Sequence, residues 1–133
     1  MARYVIDART LLHLVTSEVT VDPGHQLVAP SLIRSHALAL LLEGVRSGEL
    51  SEQEALQQHD ALTGLKMRLL GDRVSRRVAW KIAREQGWET TYEAEYLAVT
   101  MLQADGLVTV DPVLADMARN LVPLVPLDAL AVP

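Results

Sequence analysis

A chain of 133 residues, half of them hydrophobic and 22% charged, can bury the core of one ordinary domain and is neither disordered nor fibrous. It contains no cysteine, which excludes disulfides, Cys-ligated zinc, iron–sulfur clusters and thiol catalysis. A net charge of −5 argues against polyanion binding by bulk charge.

Arg3–Ile6 predicts a short strand that ends in Asp7, and Thr10–Val15 is expected to begin a helix. The Asp-Pro-Gly turn chemistry of Val21–Gln26 precedes a second strand, Leu27–Ala29, closed by Pro30. Ser31 is the expected cap of a helix through Leu42, with Gly44 and Gly48 loosening its far end. Ser51 and Glu54 form a capping-box signature for a helix to about Leu62. Leu65–Leu70 reads as a strand or a buried link. Asp72 caps a helix that Gly87 stops after Gln86. Thr90 or Thr91 caps the next, which Gly106 is expected to end. Leu107–Val110 is a strand, Asp111-Pro112 opens a helix to about Arg119, and Val122–Leu127, with two prolines, suits only an edge strand.

Short apolar strands separated by helices predict an α/β fold: a small parallel sheet sandwiched by helices, in one domain spanning 1–133. No stretch reaches the about 18 apolar residues of a membrane span, and the apolar start is too short for a signal peptide. The expected setting is therefore the cytoplasm, with no membrane partner.

Charge is unevenly distributed. Seven basic residues and one acid fall between Lys66 and Arg84, a local charge of +6 that leaves −11 elsewhere. Arg73, Arg77, Lys81 and Arg84 recur at near-helical spacing on one face. That face is either simply solvated, or it meets RNA phosphates or an acidic partner segment.

Two strands end directly in aspartate, V-I-D at Asp7 and V-T-V-D at Asp111. In open α/β sheets ligands bind beyond the carboxyl ends of the strands. Glu93 and Glu95, in the first turn of the helix leading to the second of these strands, can reach the same edge. Each acid alone could be a helix cap or a complement to a helix dipole. Together, three or four carboxylates at one edge repel and call for a cation, and oxygen ligands without cysteine suit Mg²⁺ or Mn²⁺.

VIDA, VAPSLIRSHALALLL, TYEAEYLA and LVTVD, in that order and spacing, resemble the PIN-domain ribonucleases, and most closely the VapC-type toxins of bacterial VapBC toxin–antitoxin pairs. The resemblance spans nearly the whole chain. It implies an α/β/α domain, a Mg²⁺- or Mn²⁺-dependent endoribonuclease, a homodimer and a cognate antitoxin. Of the family's acidic positions, the first falls on Asp7, the third on Glu93 in Tyr92-Glu93-Ala94, and the fourth on Asp111. The second, ordinarily a glutamate, falls on His36, and Glu95 is an extra acid. The implied catalytic set is Asp7, Glu93 and Asp111, with Glu95 added as a metal ligand. His36 and Thr109 are modifiers, His36 as ligand, acid, base or phosphate contact, and Thr109 as an orienting hydroxyl. A neutral imidazole suits Mn²⁺ better than Mg²⁺.

Two further outcomes stand beside this one. One is a degenerate PIN domain that binds RNA or a protein without cutting. The other is a phosphatase or another phosphotransfer enzyme on a similar sheet. Trp80 and Trp88 are expected as core or interface anchors, with base stacking as the lesser role.

Overall fold

The computed structural model describes residues 2–132. Strands β1 (Arg3–Ile6), β2 (Gln26–Pro30), β3 (Arg68–Leu70) and β4 (Gly106–Val108) form one parallel sheet in the order β3-β2-β1-β4. Between them run α1 (Ala8–Thr16), α2 (Ile33–Arg46), α3 (Glu52–Thr63), α4 (Arg73–Gln86) and α5 (Tyr92–Gln103). After β4 come α6 (Pro112–Ala118) and a 3-10 turn over Leu127–Leu130. The predicted α/β class, with a small parallel sheet flanked by helices, is the observed one.

The strand order explains the layering. From β1 the chain steps to β2 and then β3, and later returns past both to place β4 on the other side of β1. With right-handed crossovers, the outward steps put α1, α2 and α3 on one face, and the return puts α4 and α5 on the other. Packing agrees. The first three helices contact one another, while α5 lies on β1, β2 and β4 and carries α4. Covered on both faces, the strands are apolar after their first residues rather than alternating, and Val5, Ile6, Val28, Ala29 and Leu107 are fully buried. They join Leu11, Leu14, Ile33, Leu62 and Leu97 in one core.

Local signals govern most helix ends. Ser51 and Glu54 close the expected capping box, and Asp72 and Ser75 close a second. Gly87, in the left-handed region at φ 73°, ends α4. Four boundaries move. Ser31 does not cap α2, because its N–H extends the sheet to the Leu70 carbonyl; the helix starts at Ile33 and runs on through Gly44 to Arg46. Strand β4 stops at Val108, and the Val110 N–H turns away to the Thr10 hydroxyl. The proline-rich end contributes only a single parallel bridge, Leu107 to Leu124, before the 3-10 turn.

Gly106 does not end α5, which stops at Gln103. It opens β4, where a Cβ would sit 2.5 Å from Val125 Cγ2 and 3.3 Å from the Pro123 carbonyl oxygen. Glycine lets the C-terminal segment lie against the strand. Gly106→Ala is therefore expected to cost about 1–3 kcal/mol in chemical denaturation. An unchanged denaturation midpoint would show that the segment shifts freely.

Among the described residues no helix is long and apolar enough to cross a membrane.

Candidate active site

The order β3-β2-β1-β4 makes β1 and β4 neighbours whose outgoing connections leave on different courses, the switch point at which open α/β sheets form a crevice. Asp7 leaves the carboxyl end of β1 and Asp111 follows β4 at that crevice. The two strands are paired in register, Ile6 opposite Val108. The two strand-ending aspartates therefore share one edge, as expected.

Asp7 is the N-cap residue of α1 by backbone geometry, but its side chain accepts no cap hydrogen bond. It is only 3% exposed. The fully buried Thr10, one turn along, donates its hydroxyl proton to Asp7 Oδ1 and accepts from the Val110 N–H at 3.0 Å. Thr10 thus ties the end of β4 to the carboxylate. Thr109 accepts from the Asp111 N–H at 3.0 Å and hydrogen-bonds to Asp7. Burial pushes the Asp7 carboxyl above its ordinary range. The two threonine hydroxyls pull it back, and the Asp111 charge adds to the rise.

Asp111 caps α6, its Oδ1 accepting from the Val113 N–H at 2.9 Å. Its Oδ2 lies 3.5 Å from Arg9 Nε. Glu93 is half-buried, and its Oε2 accepts from the Thr90 hydroxyl at 3.1 Å. Glu95 is half-buried too; burial raises its carboxyl, and Arg76 across on α4 lowers it.

Tyr96 joins these groups and was not singled out from sequence. It is 1% exposed, and its hydroxyl lies 3.0 Å from His36 Nδ1 on α2 while accepting from the Ala8 N–H. Burial drives the phenol far above its usual range, and the charges of Asp7, Glu95 and Glu93 drive it further. The phenol therefore stays neutral beside the acids. His36 meets the site through this bond. A signal for Tyr96 did exist, since it lies one helical turn after Glu93. Arg76 was hidden among six other basic residues.

The acids surround Tyr96 and Asp7 without closing on a common point. Among the described residues no three His, Asp or Glu side chains come close enough to hold a metal ion. Asp111 is drawn toward Arg9 and its own cap, and Glu93 toward Thr90. The four carboxylates nonetheless suit a hard divalent cation, and Asp7 among them is buried with no ion pair among the described residues.

The stripe of Arg73, Arg77, Lys81 and Arg84 is exposed along α4. Lys81 reaches Glu85 at 3.9 Å, and among the described residues no α4 arginine forms an ion pair. At the opposite end of the sheet a cavity of about 840 Å³ lies around His25, Gln26 and Arg68. His13 and His59 take no part in the crevice contacts described above.

No protein-family model and no curated protein matches this sequence. The chain is similar to the crystal structure of PAE2754 from Pyrobaculum aerophilum, at 21% identity and a TM-score of 0.72, over 96% of this chain and 90% of that one. At that identity the similarity shows a shared fold, the α/β architecture described above.

Proposed function

We propose that the protein is a divalent-metal-dependent endoribonuclease of the PIN-domain kind, acting as the toxin of a type II toxin–antitoxin pair. The observation that carries this reading is Asp7: a buried carboxylate at the switch point, next to Asp111, with no basic side chain among the described residues bonded to it. Such a group costs stability unless it serves a ligand that neutralises it. The motif order V-I-D-A, T-Y-E-A-E-Y and V-T-V-D supports the family.

Mg²⁺ or Mn²⁺ would be held by Asp7 and Asp111 with Glu93 or Glu95, and when bound would neutralise a phosphodiester and acidify water at the site. The chain's own groups do the rest. Thr10 and Thr109 hold the Asp7 carboxylate, and the Val113 N–H and Arg9 hold that of Asp111. Tyr96 and His36 wall the crevice with polar groups joined to each other. The arginines of α4 attract the RNA backbone toward an otherwise acidic protein. A homodimer, a cognate antitoxin and a cytoplasmic setting complete the proposal, on the strength of the resemblance.

The second reading, an RNA- or protein-binding domain that does not cut, is favoured by one arrangement: the Asp111 and Glu93 carboxylates are already engaged by Arg9 and Thr90. One experiment separates the two. Purified protein is incubated with total RNA in EDTA, Mg²⁺ or Mn²⁺, and its induced expression is scored for growth arrest. Internal cleavage that needs the cation, with new ends mapping to discrete sites, supports the nuclease. Intact RNA under every condition overturns it.

A further inference from the structure

Next to the acidic crevice, α4 and the start of α5 enclose a groove of about 460 Å³ walled by Trp80, Trp88 and Tyr92, with Arg84 on its rim. Its construction is deliberate in sequence terms. Trp80 and Arg84 are four apart on α4 and share a face. The left-handed Gly87 then reverses the chain, and the Trp88 N–H bonds to the Ala83 carbonyl at 2.9 Å, folding the second indole back against the same helix. Neither Trp80 nor Tyr92 serves the core, at 64% and 59% exposed. Core placement, one of the roles expected for the tryptophans, fails for Trp80 on this ground. Large flat side chains left in water beside Arg84, which forms no ion pair among the described residues, make an exposed patch of the kind that marks an interaction site.

We infer that this groove is a base-stacking subsite for a single-stranded segment of RNA, one step away from the acidic crevice. The inference rests on the nuclease reading for its direction, since the strand that stacks here is the strand delivered to Asp7. Three observations select RNA over other occupants. The groove combines three aromatic side chains with one cation, Arg84, and one acid, Glu89; aromatic faces beside an arginine bind unpaired nucleotides by stacking and by backbone charge. Its α4 wall, Trp80 to Arg84, is the end of the +6 segment of a chain that is −11 elsewhere, so the field along that wall attracts a polyanion. It is continuous with the candidate site: Tyr92 directly precedes Glu93, and Thr90 on the groove's rim is hydrogen-bonded to the Glu93 carboxylate. Paired RNA keeps its bases stacked on one another and cannot enter, so the groove selects loops and unpaired ends.

The chain has two tryptophans and both line the groove, so intrinsic fluorescence reports on its occupancy. The test titrates protein with short oligoadenylate, short oligouridylate and a blunt RNA duplex, all in EDTA so that nothing is cut, and affinity is followed in parallel by anisotropy of labelled RNA. The expected result is quenching by both single strands and none by the duplex. Trp80→Ala should weaken single-strand binding about tenfold, Trp80→Phe should restore most of it, and Arg84→Ala should lower the salt slope by roughly one phosphate contact. Trp80 is exposed, so these variants fold. Equal affinity for single strand and duplex, or an unaffected Trp80→Ala variant, overturns the stacking site. So does a concentration-dependent dimer that Trp80→Ala abolishes without any effect of RNA on fluorescence, which would make the groove a protein interface. Quenching without cleavage in any metal would leave the subsite standing and remove the nuclease. Cleavage without quenching would do the reverse.

Discussion

Asp7→Asn will abolish cation-dependent RNA cleavage and, without cation, will raise the melting temperature at neutral pH. Both effects have one cause. Burial lifts the Asp7 carboxyl above its ordinary value of 3.8, and Asp111 adds repulsion. The folded protein therefore holds this proton more tightly than the unfolded chain does. Between 3.8 and the higher folded value, folding takes up a proton, so stability falls as pH rises through that window. Above it the full cost of the buried charge is present. Asparagine keeps an oxygen for the Thr10 hydroxyl and removes the charge. The cost then disappears, and each kcal/mol recovered is worth about 4 °C in a chain of this size. Cleavage should fall by at least about 100-fold, because even partners one bond removed from a metal are worth 10–100-fold. Paired melting curves from pH 3 to 8 and cleavage rates in Mn²⁺ decide the matter. A variant that melts no higher than wild type at pH 7, or that cuts at the native rate, would remove Asp7 from the site.

This stabilisation by loss of a side chain is the opposite of what a structural cap would show. Replacing a capping aspartate costs about 1 kcal/mol. Asp7 occupies the N-cap position of α1 but its carboxylate accepts none of the helix's free N–H groups. Asp111 contrasts with it, capping α6 at 2.9 Å while also meeting Arg9. The two strand-ending aspartates look alike in sequence, and the structure gives them different chemistry. Asp7 is a buried charge awaiting a partner, and Asp111 is already partly neutralised.

What could be read from the chain and what could not follows from the range of the interactions. Capping boxes at Ser51 and Asp72, the stop at Gly87 and the Asp111-Pro112 helix start each depend on residues within four positions, so sequence suffices. The common edge of Asp7 and Asp111 was legible too, because any parallel sheet sends its strand ends the same way. Ser31 misled because a long-range partner, the Leu70 carbonyl, took the N–H that a cap would have organised. Val110 misled in the same way through Thr10, one hundred residues away in sequence. The contact between His36 and Tyr96 spans sixty residues and has no local signature. The groove between Trp80 and Trp88 depends on how tightly Gly87 reverses the chain, which a pattern of apolar residues does not specify.

The His36–Tyr96 contact carries the remaining large effect. With Nδ1 held by the Tyr96 hydroxyl, Nε2 is the ring nitrogen left for a cation or a phosphate. A site with this imidazole has one negative charge fewer than one with a carboxylate in its place, and offers nitrogen where Mg²⁺ demands oxygen. Mn²⁺ accepts imidazole more readily. The native protein is therefore expected to bind Mn²⁺ in preference to Mg²⁺ and to cut RNA faster with it. His36→Glu should raise Mg²⁺ affinity on the order of tenfold and bring Mg²⁺-dependent cleavage up with it. The same substitution places another carboxylate near Asp7, Glu93 and Glu95, all of which already act on Tyr96. Without cation the variant should consequently melt below wild type, and Mg²⁺ should restore more stability to it than to the native chain. Tyr96→Phe is the companion measurement. It removes the hydroxyl that links α1, α2 and α5 but leaves every carboxylate in place. A site in which His36 is a ligand should lose its Mn²⁺ preference in His36→Glu and keep it in Tyr96→Phe. If calorimetry finds the same Mg²⁺ affinity in His36→Glu as in wild type, His36 stands outside the coordination sphere and serves only to brace the tyrosine against the end of β1.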